Sequence, residues 1–253
     1  LVLTANRSSS GFASRGENSN ARNVGQTLDD IVNPTADMTT VLNILEGLSS
    51  DEALTDAMDS MALDYDNGQT MISNNMLGKF VGTTILRLQD SKIEENDPND
   101  AKEVTPKNDI WIQSYGDYVN QGKRGISNGY RANIWGSVVG LDRLFMDGAL
   151  RLGLAQGFGS SKIRSKDNHD RTSIDSYQTG LYGEYQGLDS PYIFDAALTY
   201  GYNDYDNARY INAGALQRTA SSDYNGHQFS SYFEAGYKIE KKGFDIIPLL
   251  ALD

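Results

Sequence analysis

The 253-residue chain contains no cysteine and only two histidines, His169 and His227. The absence of cysteine excludes disulfide bonds, thiolate nucleophiles and Cys-based metal sites. The two histidines do not have the paired spacing of a zinc site, and no Gly-x-Ser-x-Gly nucleophile motif occurs. We therefore predict that the chain is not an enzyme, and we assign no catalytic, cofactor-binding or metal-binding residue.

Basic charge and long apolar runs are also scarce. The chain has 22 Lys and Arg against 34 Asp and Glu, a net charge of −12. This excess argues against nucleic acid as a partner, because binding a polyanion requires clustered Lys and Arg. No run of 18 apolar residues is present, which excludes a spanning helix and leaves a closed β-barrel as the only other way to cross a bilayer.

The first hundred residues have helical periodicity. A strand remnant at 1–4 and a linker from Ser8 to Asn20 are expected to precede the helices, since this linker has too little apolar content to pack. Residues 90–108 are acidic and contain two prolines, so we predict an extended tether there. Four apolar stripes predict four helices, spanning Val24–Val32, Met38–Leu45, Leu54–Met61 and Met76–Leu88.

From residue 109 onward the pattern alternates with a period of two, and seven strands are predicted. Four of them have one apolar and one polar or small face, whereas the faces of the strands around Trp111 and Trp135 are not assigned. The apolar faces comprise Leu150, Leu152, Leu154 and Phe158; Tyr177, Thr179, Leu181 and Tyr185; Tyr192, Phe194, Ala196, Leu198, Tyr200 and Tyr202; and Phe229, Phe233, Ala235, Tyr237 and Ile239. The opposite faces include Arg151, Glu184, Asp195, Glu234 and Lys238, which we expect to line a lumen.

The predicted connections alternate strictly in length. The long ones are 120–129, 166–171 and 207–225, and the short ones are 146–148, 188–191 and 241–243. Short periplasmic turns and long external loops produce this rhythm in outer-membrane barrels. The ten residues from Tyr192 to Tyr202 would rise on the order of 25 Å when tilted, the height of a lipid-facing band. A soluble β-sandwich would alternate as well, but its strands are shorter and its outward face carries more charge.

Several segments resemble the translocator end of an autotransporter, the type V secretion family. They are Asn20-Ala21-Arg22-Asn23-Val24, Trp111-Ile112-Gln113-Ser114-Tyr115-Gly116, Gly136-Ser137-Val138-Val139-Gly140-Leu141-Asp142 and Ile247-Pro248-Leu249-Leu250-Ala251-Leu252. The resemblance implies a bacterial outer-membrane location and a barrel of twelve strands. We therefore expect a mainly β fold, a partial antiparallel transmembrane β-barrel of about seven strands preceded by an α-helical segment, in a chain truncated at both ends.

The resemblance divides the chain into four parts and implies its partners. The parts are the passenger end and linker (1–23), a helical junction region (24–89), the acidic tether (90–108) and the incomplete barrel (109–253). The implied partners are outer-membrane lipid, the barrel-assembly machinery, periplasmic chaperones and the chain's own passenger. No cofactor is expected.

The order of the loops suggests how such a domain would export a passenger. If the short turns are periplasmic, the strand near Trp111 starts on that side, and an N-terminal passenger must pass back through the lumen to reach the surface. The helix from Thr70 to Gln89, about 30 Å long, would be long enough to plug the lumen. The alternatives are a passive outer-membrane porin or adhesin barrel with a helical periplasmic domain, and a soluble ligand-binding β-protein.

Three short motifs have weaker interpretations. Asn74-Asn75 invites comparison with autotransporters that cleave themselves at an Asn pair, but it lies farther from Trp111 than that subgroup requires, and Asn pairs are common in turns. Gly78-x-x-x-Gly82 could pair membrane helices, although the charges of Lys79 and Arg87 argue against lipid contact. Asp167-x-Asn-x-Asp170 could bind calcium weakly, but no EF-hand-like Gly or Glu completes the motif.

Overall fold

The computed structural model describes residues 10–62, 68–95, 108–125, 128–166, 170–187, 190–241 and 244–252. Five helices come first and nine strands follow. The helices are α1 Phe12–Arg15, α2 Ser19–Asp29, α3 Ala36–Glu46, α4 Asp51–Met61 and α5 Gly68–Glu95. The strands are β1 Asn108–Gln121, β2 Tyr130–Phe145, β3 Leu150–Ser165, β4 Arg171–Gln186, β5 Tyr192–Ala213, β6 Leu216–Tyr237, β7 Ile239–Lys241, β8 Phe244–Ile246 and β9 Leu249–Leu252.

Seven of the strands form one sheet in the order β1-β2-β3-β4-β5-β6-β9, and every neighbouring pair is antiparallel. The short β7 and β8 pair with each other. The described sheet is open, with β1 and β9 at its edges. This architecture confirms the predicted fold class, a mainly β chain with a partial antiparallel barrel after a helical segment.

The two faces of the sheet differ as the alternation predicts. On β4 the side chain of Leu181 is 61% exposed, whereas that of Gln178 is completely buried. The same division holds on β5, where Phe194 is exposed and Asp195 is buried. The two tryptophans, whose faces the sequence left open, lie on opposite sides: Trp135 is exposed on the outward face, and Trp111 is half-buried on the inward face.

A row of aromatic rings crosses the outward face toward the long-loop end. Trp135 of β2 lies 5.5 Å from Phe158 of β3, Phe158 lies 5.4 Å from Tyr177 of β4, and Tyr177 lies 6.5 Å from Tyr202 of β5, measured between ring centroids. We call these four residues the external aromatic row. Girdles of aromatic side chains mark the membrane interfaces of outer-membrane barrels. The row therefore marks one boundary of the lipid-facing band.

Helices α1 to α4 form a small bundle with its own apolar core. The side chains of Asn18, Thr35 and Ser50 cap α2, α3 and α4 by accepting hydrogen bonds from backbone N–H groups in the first turn. Leu45 and Leu54 are fully buried in the core between the helices. The caps therefore fix where α2, α3 and α4 begin, and the apolar stripes pack the helices together.

The prediction of a linker from Ser8 to Asn20 is wrong for residues 10–20. Helix α1 and the start of α2 lie in this stretch, and Phe12 is buried in the bundle core. The Asp29 carboxylate accepts hydrogen bonds from the backbone N–H groups of Phe12 and Ala13, at 2.9 and 3.0 Å. A cap supplied by α2 thus compensates for the low apolar content of α1. The strand remnant at 1–4 lies outside the described residues.

The structure also differs from the predictions for two other segments. The long loop expected at 207–225 is the continuation of β5 and β6, which stay paired up to a tight turn at Gly214, where φ is +60°. Ile211 and Leu216 near this turn pack against the bundle, so the paired strands gain a tertiary contact beyond the lipid-facing band. The tether expected from residue 90 is helical as far as Glu95, and 96–107 lie outside the described residues.

Candidate functional site

Helix α5 lies on the inward face of the sheet and contacts β2, β3, β4, β5 and β6. Near its start, the Gln69 amide donates hydrogen bonds to Thr172 Oγ1 at 3.1 Å and Asn207 Oδ1 at 2.8 Å. Both acceptors are close to the long-loop end of their strands. Arg87, near the other end of the helix, reaches Asp142 close to the short turn after β2. The helix therefore traverses the lumen from the long-loop end to the short-turn end.

A notch of glycines receives the middle of α5. Phe80 is fully buried, and a Cβ atom on Gly157 would lie 2.5 Å from its ring, while one on Gly180 would lie 2.8 Å away. A Cβ on Gly159 would similarly lie 2.9 Å from the terminal methyl of Met76. Side chains at these strand positions would occupy the space that the helix fills. The glycines on the polar face thus make room for the helix.

Asp142 of β2 is completely buried and collects four donors at the short-turn end of the lumen. Arg87 of α5 donates from Nε to Oδ2 at 3.0 Å and from Nη2 to Oδ1 at 3.2 Å. Arg151 donates from Nη1 to Oδ1 at 2.7 Å, and the Tyr182 hydroxyl donates to Oδ2 at 2.9 Å. Trp111 Nε1 in turn donates to the Tyr182 hydroxyl at 2.6 Å. We call these five residues the Asp142 cluster.

The charges around the Asp142 cluster are balanced by a second carboxylate. Asp109 at the start of β1 lies 3.1 Å from Arg87 Nη2 and 3.9 Å from Arg151 Nη1. Two guanidinium groups therefore face two carboxylates. A buried charge is tolerated only when it is paired and hydrogen-bonded, and each of these charges meets that condition. The cluster and Asp109 join α5 to β1, β2, β3 and β4.

Closer to the middle of the lumen, α5 makes polar contacts with β1 and β6. Lys79 Nζ lies 3.3 Å from Asp117 Oδ2, and the Asn75 amide donates to the same oxygen at 3.5 Å. The neighbouring Asn74 accepts a hydrogen bond from the Gln228 amide at 2.5 Å. Asn74-Asn75 is therefore helical, within the helix predicted from Thr70 to Gln89.

The remaining residues singled out from the sequence are also located. Arg151, Glu184, Asp195 and Glu234 are buried on the inward face, as predicted, and Lys238 is half-buried. His227 is exposed on β6, where its Nδ1 lies 2.7 Å from the Tyr200 hydroxyl. His169 and Asp167 lie outside the described residues, and among the described ones no group of three acidic or histidine side chains could hold a metal ion.

The Gly78-x-x-x-Gly82 motif does not mark a close helix–helix contact. A Cβ built on either glycine meets no atom within 4 Å. Within the described ranges, no helix combines the length and the apolarity needed to cross a membrane. The small residues of α5 therefore leave open space on one side of the helix within the lumen.

The helical bundle lies at the long-loop end, against the extended hairpin of β5 and β6. Arg209 Nη1 of β5 donates to the Met61 carbonyl oxygen at 3.0 Å. Arg218 of β6 donates from Nη1 to Asp37 Oδ2 at 2.7 Å, and a second bond joins Nη2 to Oδ1. These polar contacts flank the apolar contact with Ile211 and Leu216. The bundle and the hairpin thus form one unit.

The pair of Asp37 and Arg218 should make this contact sensitive to acid. The hydrogen bonds from Arg218 lower the pKa of Asp37 below its ordinary value of 3.8. Because the folded pKa is depressed, the contribution of the pair is present above about pH 4 and is lost as the pH falls through the folded pKa. We expect limited proteolysis of the bundle to accelerate modestly as the pH falls below about 4. The Arg218→Gln variant should show a smaller acceleration on acidification, because the other carboxylate contacts of the bundle remain, and equal acceleration in that variant would contradict the assignment.

The sheet is antiparallel, its exposed face is apolar and is bounded by an aromatic row, and its polar face surrounds a helix. These features define a class of protein. It is the β-domain of an outer-membrane barrel with a lumenal helix. The autotransporter β-domain family matches residues 110–253, which is more than half of the chain. The chain belongs to this family.

Several curated proteins are similar to part of this chain. Esterase EstA of Pseudomonas aeruginosa is 32% identical over 119 residues, which cover 47% of this chain and 17% of that protein. An extracellular serine protease of Serratia marcescens is 27% identical over 146 residues, covering 57% and 14%. Outer membrane protein B of Rickettsia japonica is 26% identical over 151 residues, covering 56% and 9%. The chain spans less than a fifth of the length of these relatives.

Among solved structures, the β-domain of the Bordetella autotransporter BrkA matches with a TM-score of 0.43 and 22% identity, covering 57% of this chain and 55% of that one. The family match confirms the resemblance found in the sequence. It places the chain in the bacterial outer membrane as a translocator domain. The passive porin or adhesin alternative is not favoured.

Proposed function

We propose that the barrel exports the chain's own N-terminal passenger to the cell surface and that α5 stays behind in the lumen as its plug. The direction of the chain carries this proposal. The bundle lies at the long-loop end, α5 runs down the lumen, and β1 starts at the short-turn end, where Asn108 pairs with Arg143. A chain with this path has its helices outside and its first strand starting inside, as a translocated segment would.

The path of the chain also bears on the rival interpretation. A porin with a helical periplasmic domain would place its helices beside the short turns. Here Asp37 and Met61 of the bundle contact the β5–β6 hairpin at the opposite end. This placement favours the translocator.

The segments divide the work as follows. Residues 24–89 form the junction between passenger and pore, 90–108 lead back to the first strand, and 109–253 contribute to the barrel wall. The outward face contacts lipid, and assembly requires periplasmic chaperones and the barrel-assembly machinery. Esterase and serine protease are the names of two relatives. In this protein, any such activity would belong to the passenger, and the translocator portion would have no catalytic, metal or cofactor site.

The proposal can be tested by labelling single cysteines, because the chain has none of its own. Asp56→Cys introduces a thiol on the exposed face of α4, and Ser190→Cys introduces one in the short turn before β5. A maleimide too large to pass through porins should label the first on intact cells and the second only after the outer membrane is permeabilised. Labelling in the reverse order would put the helices in the periplasm and refute export through this barrel.

A further inference from the structure

Four basic residues form a patch on the outward face, beyond the external aromatic row. Arg131 of β2 faces Arg164 of β3, and Arg164 faces Arg171 of β4, so three arginines stand side by side across three strands. Lys162 lies two residues from Arg164 on the same face. All four side chains are exposed. We call these four residues the basic patch.

The basic patch is unfavourable without an anionic partner. Like charges directly opposite each other destabilise a sheet, and here the clash occurs twice in succession. It occurs in a chain whose net charge is −12, so the cluster runs against the overall composition. In the part of the chain that the structure describes, no ion pair joins any of the four to a carboxylate.

The neighbouring strands show that the charge is local. On β5 and β6 the outward positions at a similar height carry Asp204, Asp206 and Asp223. Asp175 of β4 is also outward and exposed, and it faces Asp204. The outward face is therefore basic at the level of Arg131, Arg164 and Arg171 and acidic next to that level on β4 to β6. An anion bound beside the three arginines would favour a separate basic region of this kind. A uniformly charged or uniformly neutral surrounding would not.

The height of the patch above the lipid-facing band limits what can bind. Arg131 is four residues beyond Trp135, and Lys162 is four residues beyond Phe158. Four residues at roughly 3.3 Å each, tilted about 40°, rise on the order of 10 Å. The headgroup layer of an ordinary bilayer is only about 5–8 Å thick on each side. The partner must therefore carry negative charge farther from the apolar layer than a simple phospholipid does.

We propose that the basic patch binds the phosphate groups of a phosphorylated glycolipid in the external leaflet. Its acyl chains would lie along the apolar outward face, and its phosphorylated sugars would reach the arginines. Arginine suits this role because its planar fork binds phosphate in a bidentate manner. A surface depression lined by Ala208, Tyr210 and Thr219 continues the patch beside Arg171 and offers room for a sugar ring.

The test measures binding of a fluorescent, doubly phosphorylated lipid A to the detergent-solubilised protein. Arg164→Gln should weaken binding roughly fivefold, since each basic residue near an anionic lipid surface contributes about that factor. The triple variant Arg131→Gln/Arg164→Gln/Arg171→Gln should weaken it on the order of a hundredfold. Arg143→Gln is the matched control, because Arg143 is also exposed and outward on β2 but lies near the short-turn end. It should change binding by less than about twofold.

Two further arms identify the source of the phosphate. The same lipid without its phosphates should lose binding, and inorganic phosphate should fail to compete at low millimolar concentration. Equal binding of the dephosphorylated lipid would overturn the proposal, because the acyl chains alone would then account for affinity. Competition by free phosphate would also overturn it, because the site would then recognise the anion and not the lipid. Circular dichroism of each variant shows whether the β structure is retained, so that unfolding is not mistaken for lost binding.

Discussion

Replacing Asp142 with alanine is expected to destabilise the folded protein by roughly 3–5 kcal/mol. The substitution removes the carboxylate that accepts hydrogen bonds from the buried Arg151 and the half-buried Arg87, and it leaves two guanidinium groups with Asp109 as their one nearby carboxylate. Removing one member of a buried ion pair is costly because the other charge stays desolvated. Thermal unfolding in detergent micelles, followed by circular dichroism, measures the loss. Hydrogen exchange should also accelerate in α5, the element that Arg87 connects to the barrel wall.

Asp117→Ala serves as the control for this prediction. Asp117 also pairs with a cation of α5, but both side chains of the Lys79–Asp117 pair are partly exposed. Exposed ion pairs contribute only about 0–1 kcal/mol. If Asp142→Ala and Asp117→Ala had equally small effects, the Asp142 cluster would not hold the helix.

Replacing Phe80 with alanine is expected to cost about 3–5 kcal/mol, as for other fully buried phenylalanines. The ring fills the glycine notch of β3 and β4, and its removal leaves a cavity over Gly157 and Gly180. The unfolding temperature in micelles should fall accordingly. Leu86→Ala is the control on the same helix, because Leu86 is 48% exposed, and it should change stability by less than about 1 kcal/mol.

A double-variant experiment tests the notch itself. Gly157→Ala should destabilise the wild-type protein by roughly 1–3 kcal/mol, because the new Cβ would lie 2.5 Å from the Phe80 ring. In the Phe80→Ala background the same substitution should cost clearly less, since the ring is gone and only the contact with Gln178 Oε1 at 2.9 Å remains. Additive effects of the two substitutions would show that they do not share this space.

The strand faces were predictable because period-two alternation depends only on the local sequence. Tyr177 and Leu181 alternate with Gln178 and Glu184, and once one face is apolar the register is fixed for the whole strand. The stripe of Met76, Phe80 and Leu88 likewise predicted α5 before any contact was known. Patterns of this kind reveal which side of an element is apolar, and here they located the lipid-facing side.

The contacts of the site were not predictable in the same way. Arg87 and Asp142 are 55 residues apart in sequence, and Tyr182 lies 40 residues beyond Asp142. Nothing in the local sequence marks Asp142 as the residue that contacts both of them. An isolated Asp near the end of a strand could equally well be exposed to solvent. The sequence did show acidic and basic residues that alternate with glycine on the inward faces, and these residues indicated that this side of the sheet lines a lumen.

The incorrect predictions share one physical cause, which is that distant contacts stabilised a segment with little local preference. Phe12 is the only large apolar residue of its stretch, and it is buried because α2 and α4 form a core around it. Residues 207–225 are rich in polar side chains, yet their backbones remain paired because the hairpin packs against the bundle. Composition alone cannot show that a neighbouring element will supply the missing contacts.

The shared core of the bundle and the β5–β6 hairpin has a consequence for the proposed export route, because the bundle would fold only after it has left the lumen. Leu45, Leu54 and Met58 leave water only when the four short helices assemble, and each such side chain contributes roughly 1.5–3 kcal/mol. The lumen is occupied by a single helix, so this assembly has no room to form before the segment has emerged. A segment that folds on arrival cannot retreat without unfolding. On the proposed export route, the free energy of folding of the bundle would therefore oppose its return into the lumen.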